Sequence, residues 1–297
     1  IAKKLKVPPI IIGLTIVAMG TSLPETAVSV TASLVQNNEL AVSNVVGSNI
    51  FNLMFVIGVC SILTPIMVQK ATVVRDIPLS LGCALFLLVL GISGLGDKAG
   101  MTLGHADGVI FLIVFAGYIF TMVRSAMKAR AAGQKVEIEG VEECDNMKEL
   151  SYGKSILFLI VGAAAIAFGG DLTVDTASRI AIELGMSQTL VGLTIVSIGT
   201  SLPELVTSVV AARKNEVDMA VGNAVGSNIF NILMVLGISS AISPVALIQE
   251  NIIDIVLLMV FSVMVWIFAG TRKKIERKEG IIMVVVYLVY CAYIIAR

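Results

Sequence analysis

Two glutamates stand at matching places in apolar surroundings of this sequence. The run Gly-Thr-Ser-Leu-Pro-Glu occurs at residues 20–25 and again at residues 199–204, so Glu25 and Glu204 end identical hexapeptides. A glutamate within an apolar membrane helix costs about 2.5–3.5 kcal/mol unless it faces protein, water or an ion. Because the sequence contains this unfavourable arrangement twice, we interpret both carboxylates as ligands for a cation.

A second pair of motifs adds neutral oxygen atoms. Gly-Ser-Asn-Ile-Phe-Asn occurs at residues 47–52 and 226–231. In each copy the serine and the last asparagine are four residues apart, which places them on one face of a helix. Carboxylate, amide and hydroxyl oxygens suit calcium, which takes about 6–8 oxygen ligands, and sodium could use subsets of them. The motifs hold no thiolate or imidazole, so they disfavour zinc and copper.

The residues just before each glutamate extend this set of oxygens. Thr21 and Ser22 lie four and three residues before Glu25, and helical spacing predicts that their hydroxyls share its face. Pro24 has no N–H to give to the carbonyl of Gly20, which is therefore freed for another partner. The second copy repeats the arrangement with Thr200, Ser201 and Pro203.

Close helix packing is the alternative role for these motifs. Small residues allow membrane helices to approach each other, and an asparagine can hydrogen-bond across helices. Packing does not explain Glu25 and Glu204, and ion binding is the favoured role for Asn52 and Asn231. Four further asparagines stay open between the two roles: Asn44, Asn49, Asn223 and Asn228.

The elements that must position these residues are membrane helices. The chain has 297 residues, of which 57% are hydrophobic and 14% charged, and its mean hydropathy is +0.96. A soluble domain would carry more charge, whereas runs of about 20 apolar residues span a bilayer. The net charge of zero disfavours nucleic acid as a partner. We predict an all-α membrane protein with nine spans, at residues 8–35, 40–64, 77–95, 106–124, 154–170, 187–212, 217–243, 252–270 and 280–296.

The lysines and arginines predict which segments face the cytoplasm. With residue 1 inside, 18 of the 21 basic residues fall in cytoplasmic segments, in accord with the positive-inside rule. The segment 125–153 and the loop 271–279 are then cytoplasmic, in a plasma (inner) membrane. We interpret 125–153 as a solvated linker between a first half, 1–124, and a second half, 154–297, with a regulatory cation site as the alternative role.

The motif pairs belong to a longer internal duplication. Residues 1–65 align without a gap to residues 180–244, at an offset of 179. The two glutamates lie in the first and sixth predicted spans, so the copies cross the membrane in opposite directions. Inverted repeats of this kind place a substrate site at the midplane between the halves. The fifth span has no counterpart in the first half, so we expect one further N-terminal span in the natural protein and a five-plus-five arrangement.

The cysteines and the histidine do not suggest a second site. Cys60, Cys83, Cys144 and Cys291 have no metal or disulfide spacing, so we interpret three as lipid- or core-facing and one as a free loop thiol. His105 is predicted to be a surface residue of an outer loop, without an implied partner.

The paired motifs in inverted halves resemble those of the calcium/cation antiporter superfamily, and most of all its prokaryotic sodium/calcium exchangers. The resemblance covers essentially the whole chain and implies ten helices. It also implies that Glu25 and Glu204 are central calcium ligands, together with the backbone carbonyls of Thr21 and Thr200. The sodium sites that it implies are formed by Ser22, Ser48, Ser201 and Ser227, by the carbonyls of Ala18 and Ser197, and by Asn52 and Asn231 beside the glutamates.

The sequence departs from the family pattern at one place. Members often carry an aspartate where one of Asn52 and Asn231 stands, so the sodium count and any potassium co-transport are left open. Proton-coupled relatives carry a glutamate-histidine pair where this chain has Ser48-Asn49 and Ser227-Asn228, which disfavours calcium/proton exchange.

The expected function is therefore antiport, with sodium entry driving calcium exit. We expect a monomeric transporter in the lipid bilayer with no cofactor. Because the sequence shows no nucleophile-base pair and no nucleotide-binding loop, we expect no enzymatic activity. Potassium-dependent sodium/calcium exchange, calcium/proton exchange, a passive cation channel and a scaffold without transport are the alternatives.

Overall fold

Backbone pairing inside the apolar segments determines the architecture. The computed structural model describes residues 13–93, 101–131, 151–183 and 185–297. In a bilayer, N–H and C=O groups find no water, and a helix satisfies them within one segment. The described residues accordingly form long helices, with four strands of two residues each. These strands are a small correction to the predicted all-α class.

Three helices carry the first copy of both motifs, and two more follow them. They are α1 (π-helical Gly13–Val17 and α-helical Ala18–Thr21), α2 (Leu23–Leu34), α3 (Asn38–Ile50, π-helical Phe51–Val56 and Ile57–Leu63), α4 (π-helical Thr72–Asp76 and Ile77–Ser93) and α5 (His105–Ala131). Strand β1 is Ile66–Met67 and strand β2 is Thr102–Leu103.

The second copy has the same order of elements after one additional helix, α6 (Tyr152–Glu183). It comprises α7 (Gln188–Val191, π-helical Gly192–Val196 and Ser197–Thr200), α8 (Leu202–Arg213), α9 (Val217–Phe230, π-helical Asn231–Val235 and Leu236–Ile242), β3 (Val245–Ala246), α10 (Gln249–Arg272), β4 (Lys274–Ile275) and α11 (Arg277–Ala296). The π-helical turns of α1 and α7 start 179 residues apart, so the duplication extends to backbone irregularities.

The helices agree with the predicted spans in place but differ in length. In the described part of the chain, six helices are long and apolar enough to cross a membrane, or seven if the bent pair α7–α8 forms one span. The count of nine stays a prediction. Helix α5 continues to Ala131, which is within the predicted linker, and α6 extends well beyond the predicted span at 154–170. Residues 132–150 of that linker, with Cys144, lie outside the described residues.

The first and sixth predicted spans are each broken within the glutamate motif. Ser22 and Ser201 leave helical geometry, with ψ of 11° and 7°, and α7 meets α8 at an angle of 48°. Pro24 and Pro203 fall in the first turn of the following helix, where the missing N–H costs no hydrogen bond. The new helix therefore begins two residues before the glutamate, which places Glu25 and Glu204 in its first turn.

Two short antiparallel ladders join the two copies. Strand β1, after α3, pairs with β4, which precedes α11, through Ile66 and Ile275. Strand β3, after α9, pairs with β2, which precedes α5, through Val245 and Leu103. Helix α4 separates β1 from β2, and its 22 residues measure about 33 Å at 1.5 Å per residue. The ladders thus lie at opposite ends of the helical bundle.

Glycines allow helices of different copies to cross closely beside the motifs. A Cβ atom on Gly47 of α3 would lie 2.9 Å from the carbonyl oxygen of Leu193 in α7. At the equivalent position, a Cβ on Gly226 of α9 would lie 2.7 Å from the Cα of Leu14 in α1. Both obstacles are backbone atoms, which cannot rotate away. The glycines therefore bring each motif helix against the broken helix of the other copy.

Gly226→Ala is expected to destabilise the fold by about 1–3 kcal/mol, because the added methyl group forces α9 away from the backbone of α1. Gly117→Ala on α5 is the control, since its Cβ would meet nothing within 4 Å. Thermal unfolding of purified protein in detergent measures both. Equal unfolding temperatures for the two variants would contradict the close crossing.

Candidate functional site

The two glutamates lie in one buried cluster formed by both copies. Glu25 and Glu204 are each 0% exposed. Ser201 donates a hydrogen bond of 2.8 Å to Oε1 of Glu25, and Ser22 donates one of 3.1 Å to Oε1 of Glu204. Each carboxyl group is therefore bound by the serine that precedes the other carboxyl group.

This exchange of partners corrects the expectation from helical spacing. The sequence predicts that Ser22 shares a face with Glu25, and that Ser201 shares one with Glu204. The prediction is wrong because the helix is broken at both serines, so the 3.6-residue period does not continue across them. Each serine side chain is instead directed to the other copy, a contact that spacing alone cannot indicate.

Four buried oxygen atoms of the cluster have no hydrogen-bond partner in the described part of the chain. They are Oε2 of Glu25, Oε2 of Glu204, Oδ1 of Asn52 and Oδ1 of Asn231. All four residues are 0% exposed. An unsatisfied buried polar group costs about 1–3 kcal/mol, and more when it is charged. The helix of Glu25 contacts the turn that begins at Asn231, and the helix of Glu204 contacts the turn that contains Asn52. These four atoms are therefore oxygens of contacting helices that a cation could satisfy.

The orientation of the two asparagine side chains follows from their donors. Asn52 donates from Nδ2 to Oδ1 of Asn228 at 3.3 Å, and Asn231 donates from Nδ2 to Oδ1 of Asn49 at 3.1 Å. The amide nitrogens are thus bonded across α3 and α9. Only the carbonyl oxygens of Asn52 and Asn231 stay available.

Two further asparagines support the backbone of the glutamate helices. The Nδ2 atom of Asn44 lies 3.4 Å from the carbonyl oxygen of Glu25, and its Oδ1 accepts a bond of 3.2 Å from Thr200. In the other copy, Nδ2 of Asn223 lies 3.3 Å from the carbonyl oxygen of Glu204, while its Oδ1 accepts a bond of 3.2 Å from Thr21. These contacts are interhelical bonds, one of the two roles that the sequence leaves open.

The remaining predicted serines show that the two copies are not equivalent. Ser227 donates to Oε1 of Glu204 at 3.3 Å, so this carboxyl group accepts two bonds. Its counterpart Ser48 lies 3.4 Å from the carbonyl oxygen of Ser197 and 3.4 Å from Oγ1 of Thr200. The oxygen Oε1 of Glu25 consequently has Ser201 as its one serine partner among these residues.

The pair Ala18 and Ser197 adds a second difference. Ser197 donates to backbone carbonyls of α3, 3.1 Å from that of Asn44, and it also contacts the carbonyl of Gly192 in its own helix. Ala18 has no hydroxyl with which to do the same toward α9. The carbonyl oxygen of Ala18 accepts a bond of 3.0 Å from the backbone N–H of Ser22, and that of Ser197 accepts one of 3.1 Å from the backbone N–H of Ser201. Each carbonyl also has a weaker hydroxyl contact, because Oγ1 of Thr21 lies 3.4 Å from that of Ala18 and Oγ1 of Thr200 lies 3.4 Å from that of Ser197.

The chemistry of the cluster is that of two carboxyl groups with neutral oxygens. Among the described residues, no three His, Cys, Asp or Glu side chains come together as a metal site. A buried carboxyl group elsewhere, Asp254, is bound by the guanidinium of Arg297 at 2.6 Å. Neither glutamate of the cluster has such an ion pair in the part of the chain that the structure describes. The carboxyl groups of the cluster are therefore available to a cation, whereas that of Asp254 is bound to the side chain of Arg297.

The three described cysteines and the histidine are not among the residues that bond to the two glutamates. Cys60 and Cys83 are buried and Cys291 is partly buried, all as free thiols. His105 is exposed, but it begins α5 and does not lie in a loop, and its Nδ1 lies 2.9 Å from the carbonyl oxygen of Ala241. The prediction that this histidine is a surface residue is confirmed, and its contact with Ala241 is a partner that the sequence did not imply.

Sequence reasoning missed two serines that support the site. Ser29 and Ser208 are buried, and each lies 3.0 Å from Nδ2 of an asparagine, Asn44 and Asn223 respectively. Their signal in the sequence is their position, because they too are separated by 179 residues within the duplication.

Comparisons with known proteins indicate the family of this chain. The family model described as "Sodium/calcium exchanger protein" matches residues 1–124 and 154–296. The putative antiporter CaxA of Alkalimonas amylolytica is 36% identical over 98% of this chain and 89% of its own length. The sodium/calcium exchanger MaX1 of Methanosarcina acetivorans is 32% identical over 98% of this chain and 90% of its own.

A solved structure shows the same fold. A structure of the sodium-calcium exchanger NCX_Mj superimposes with a TM-score of 0.77 at 31% identity, covering 98% of this chain and 89% of that one. With its apolar helices and its membrane-exchanger relatives, this is an integral membrane protein. It belongs to the sodium/calcium exchanger protein family.

Proposed function

We propose that this protein is a secondary active antiporter that exchanges sodium for calcium by alternating access. The observation that carries the proposal is the set of four unpaired, buried oxygens on Glu25, Glu204, Asn52 and Asn231, which lie on contacting helices of the two copies. Carboxylate and amide oxygens are ligands that calcium and sodium prefer. The exchanger relatives support the same substrates.

The charge of the site explains why one ion would replace the other. Two ionised carboxylates in a water-poor interior are costly to leave uncompensated, because desolvation of each charge costs several kcal/mol. One calcium ion, or sodium ions in neighbouring subsites, would compensate them. The conformational change then has a high free-energy cost when the site is empty. The protein therefore changes its access side mainly with an ion bound, and exchange results.

Roles for the individual residues follow from this arrangement. Glu25 and Glu204 bind calcium, with the backbone carbonyls of Thr21 and Thr200 completing the site. The sodium subsites use the remaining oxygens, from Ser22, Ser48, Ser201 and Ser227, from the carbonyls of Ala18 and Ser197, and from Asn52 and Asn231.

Alternating access requires two passages that reach one site from opposite sides. We propose an inverted five-plus-five repeat with nine spans in this sequence, divided as 1–124, 125–153 and 154–297. Residue 1, the linker and the loop 271–279 lie in the cytoplasm beside the plasma membrane. The exchanged hydrogen bonds between the broken helices of the two copies support such a pseudo-symmetric site. The protein needs no cofactor for this function and is not an enzyme.

Glu25→Gln and Glu204→Gln are each expected to weaken calcium transport at least ~100-fold, equivalent to about 2.8 kcal/mol, because each removes half of the negative charge of the site. Calcium uptake into sodium-loaded vesicles measures this, with Glu183→Gln as the control on an exposed glutamate. Adding potassium or a proton gradient in separate runs tests the alternative couplings.

Two results would overturn antiport. Calcium uptake that is indifferent to the sodium gradient would indicate a passive channel. Unchanged uptake in both glutamine variants would contradict the assignment of Glu25 and Glu204 as calcium ligands.

The two serines that bind the glutamates provide a second prediction. Ser201→Ala should raise the calcium concentration for half-maximal uptake more than Ser22→Ala does, by roughly three- to tenfold, since a hydrogen bond to a charged group contributes about 1.5–3 kcal/mol, partly regained from water or the ion. The reason is that Glu204 keeps its bond from Ser227, whereas Glu25 loses the one serine bond that its Oε1 receives. Concentration dependence of uptake in matched vesicles measures the pair. A larger effect of Ser22→Ala would contradict the asymmetry.

A further inference from the structure

Asn49 and Asn228 form a reciprocal pair at the crossing of α3 and α9. Each is almost completely buried, at 0% and 1% exposed. Asn49 donates from Nδ2 to the backbone carbonyl of Asn228 at 3.1 Å, and Asn228 donates from Nδ2 to the backbone carbonyl of Asn49 at 3.1 Å. The two side chains therefore bond the helices together directly beside Asn52 and Asn231, which carry two of the four unpaired oxygens.

The other end of each amide is also used. Oδ1 of Asn49 accepts the bond from Nδ2 of Asn231, and Oδ1 of Asn228 accepts the bond from Nδ2 of Asn52. Because both polar atoms of Asn49 and Asn228 are bonded to protein, neither side chain has an obvious oxygen left for an ion. Their role is therefore different from that of their neighbours.

These bonds determine which end of Asn52 and Asn231 faces the cluster. An asparagine amide carries a donor end and an acceptor end of nearly equal size. A cation is attracted by the carbonyl oxygen and repelled by the NH2 group. Since Nδ2 of Asn49 is bonded to a backbone carbonyl, its Oδ1 must face Asn231, and this oxygen can accept only from the NH2 group of Asn231. The carbonyl oxygen of Asn231 is then the end that stays free.

We propose that Asn49 and Asn228 are positioning residues that fix the amides of Asn231 and Asn52 with their oxygens toward the cation. The proposal rests on the proposed cation-binding function. It explains how a site with two carboxylates acquires two more oriented oxygen ligands without acquiring more negative charge. It also resolves the open role of these two asparagines in favour of interhelical bonding that serves ion binding.

A double-mutant cycle tests this orientation. Asn49→Leu removes the acceptor that holds Asn231, so the Asn231 amide can rotate, and the calcium concentration for half-maximal binding should rise about tenfold. In an Asn231→Asp background the same change should cost threefold or less, because a carboxylate presents an oxygen in either rotation. Calcium-dependent stabilisation against thermal unfolding gives the affinity, and uptake kinetics separate KM from the maximal rate.

Two matched variants exclude a general structural effect. Asn49→Asp keeps an acceptor for Asn231 but loses the donor to Asn228, so its calcium affinity should stay within about threefold of the wild type; this variant also tests the proposal if Asn49→Leu does not fold. Asn251→Leu is the control for losing a buried asparagine, since Asn251 bonds to Ser43 and to the backbone of Ile248, and neither carries one of the four oxygens. It should lower stability and leave calcium affinity unchanged.

The outcomes separate this proposal from the proposed function. The positioning role would be overturned, with cation exchange intact, if Asn49→Leu lowered calcium affinity equally in both backgrounds. The same would follow if Asn49→Asp lowered calcium affinity as much as Asn49→Leu. If calcium neither stabilises the wild-type protein nor is transported by it, both the positioning role and the proposed cation exchange are overturned.

Discussion

Burial of two carboxyl groups without enough partners is the constraint on which the rest of this structure depends. Glu25 and Glu204 each accept serine hydrogen bonds through one oxygen and have an unpaired second oxygen. Such groups do not stabilise the fold, because each unsatisfied buried polar atom lowers the free energy of unfolding. In contrast, Asp254 has its guanidinium partner. The difference separates a group that stabilises the fold from a group available to a ligand.

The backbone is irregular where the site needs it to be. The breaks at Ser22 and Ser201 release two serine side chains from helical spacing, and both reach the glutamate of the other copy. Gly47 and Gly226 let α3 and α9 cross the broken helices of the other copy closely. The two ladders at opposite ends of the bundle connect the copies again. The site is consequently a product of the interface between copies and is complete in neither copy alone.

The duplication has not produced two identical halves of the site. Ser197 bonds to α3 through its hydroxyl, while Ala18 at the equivalent position of α1 cannot bond to α9 in this way. Ser48 contacts α7, whereas its counterpart Ser227 contacts the glutamate of its own copy. Both differences add polar contacts between α3 and α7. The pair α7–α3 is thus more strongly connected than α1–α9 by these side chains, although the backbones cross alike.

The sequence by itself determined the class of protein, the duplication and the residues of the cluster. Apolar runs of bilayer length, an offset of 179 residues and glutamates in apolar surroundings are properties of the chain that need no partner. Only the tertiary structure decided which groups are in contact: that Ser22 binds Glu204, that Asn231 donates to Asn49, and that His105 contacts Ala241. Helical periodicity relates residues within one helix. Contacts between residues 136 to 182 positions apart depend on how helices cross. At Ser22 and Ser201 a helix break also removes the periodicity.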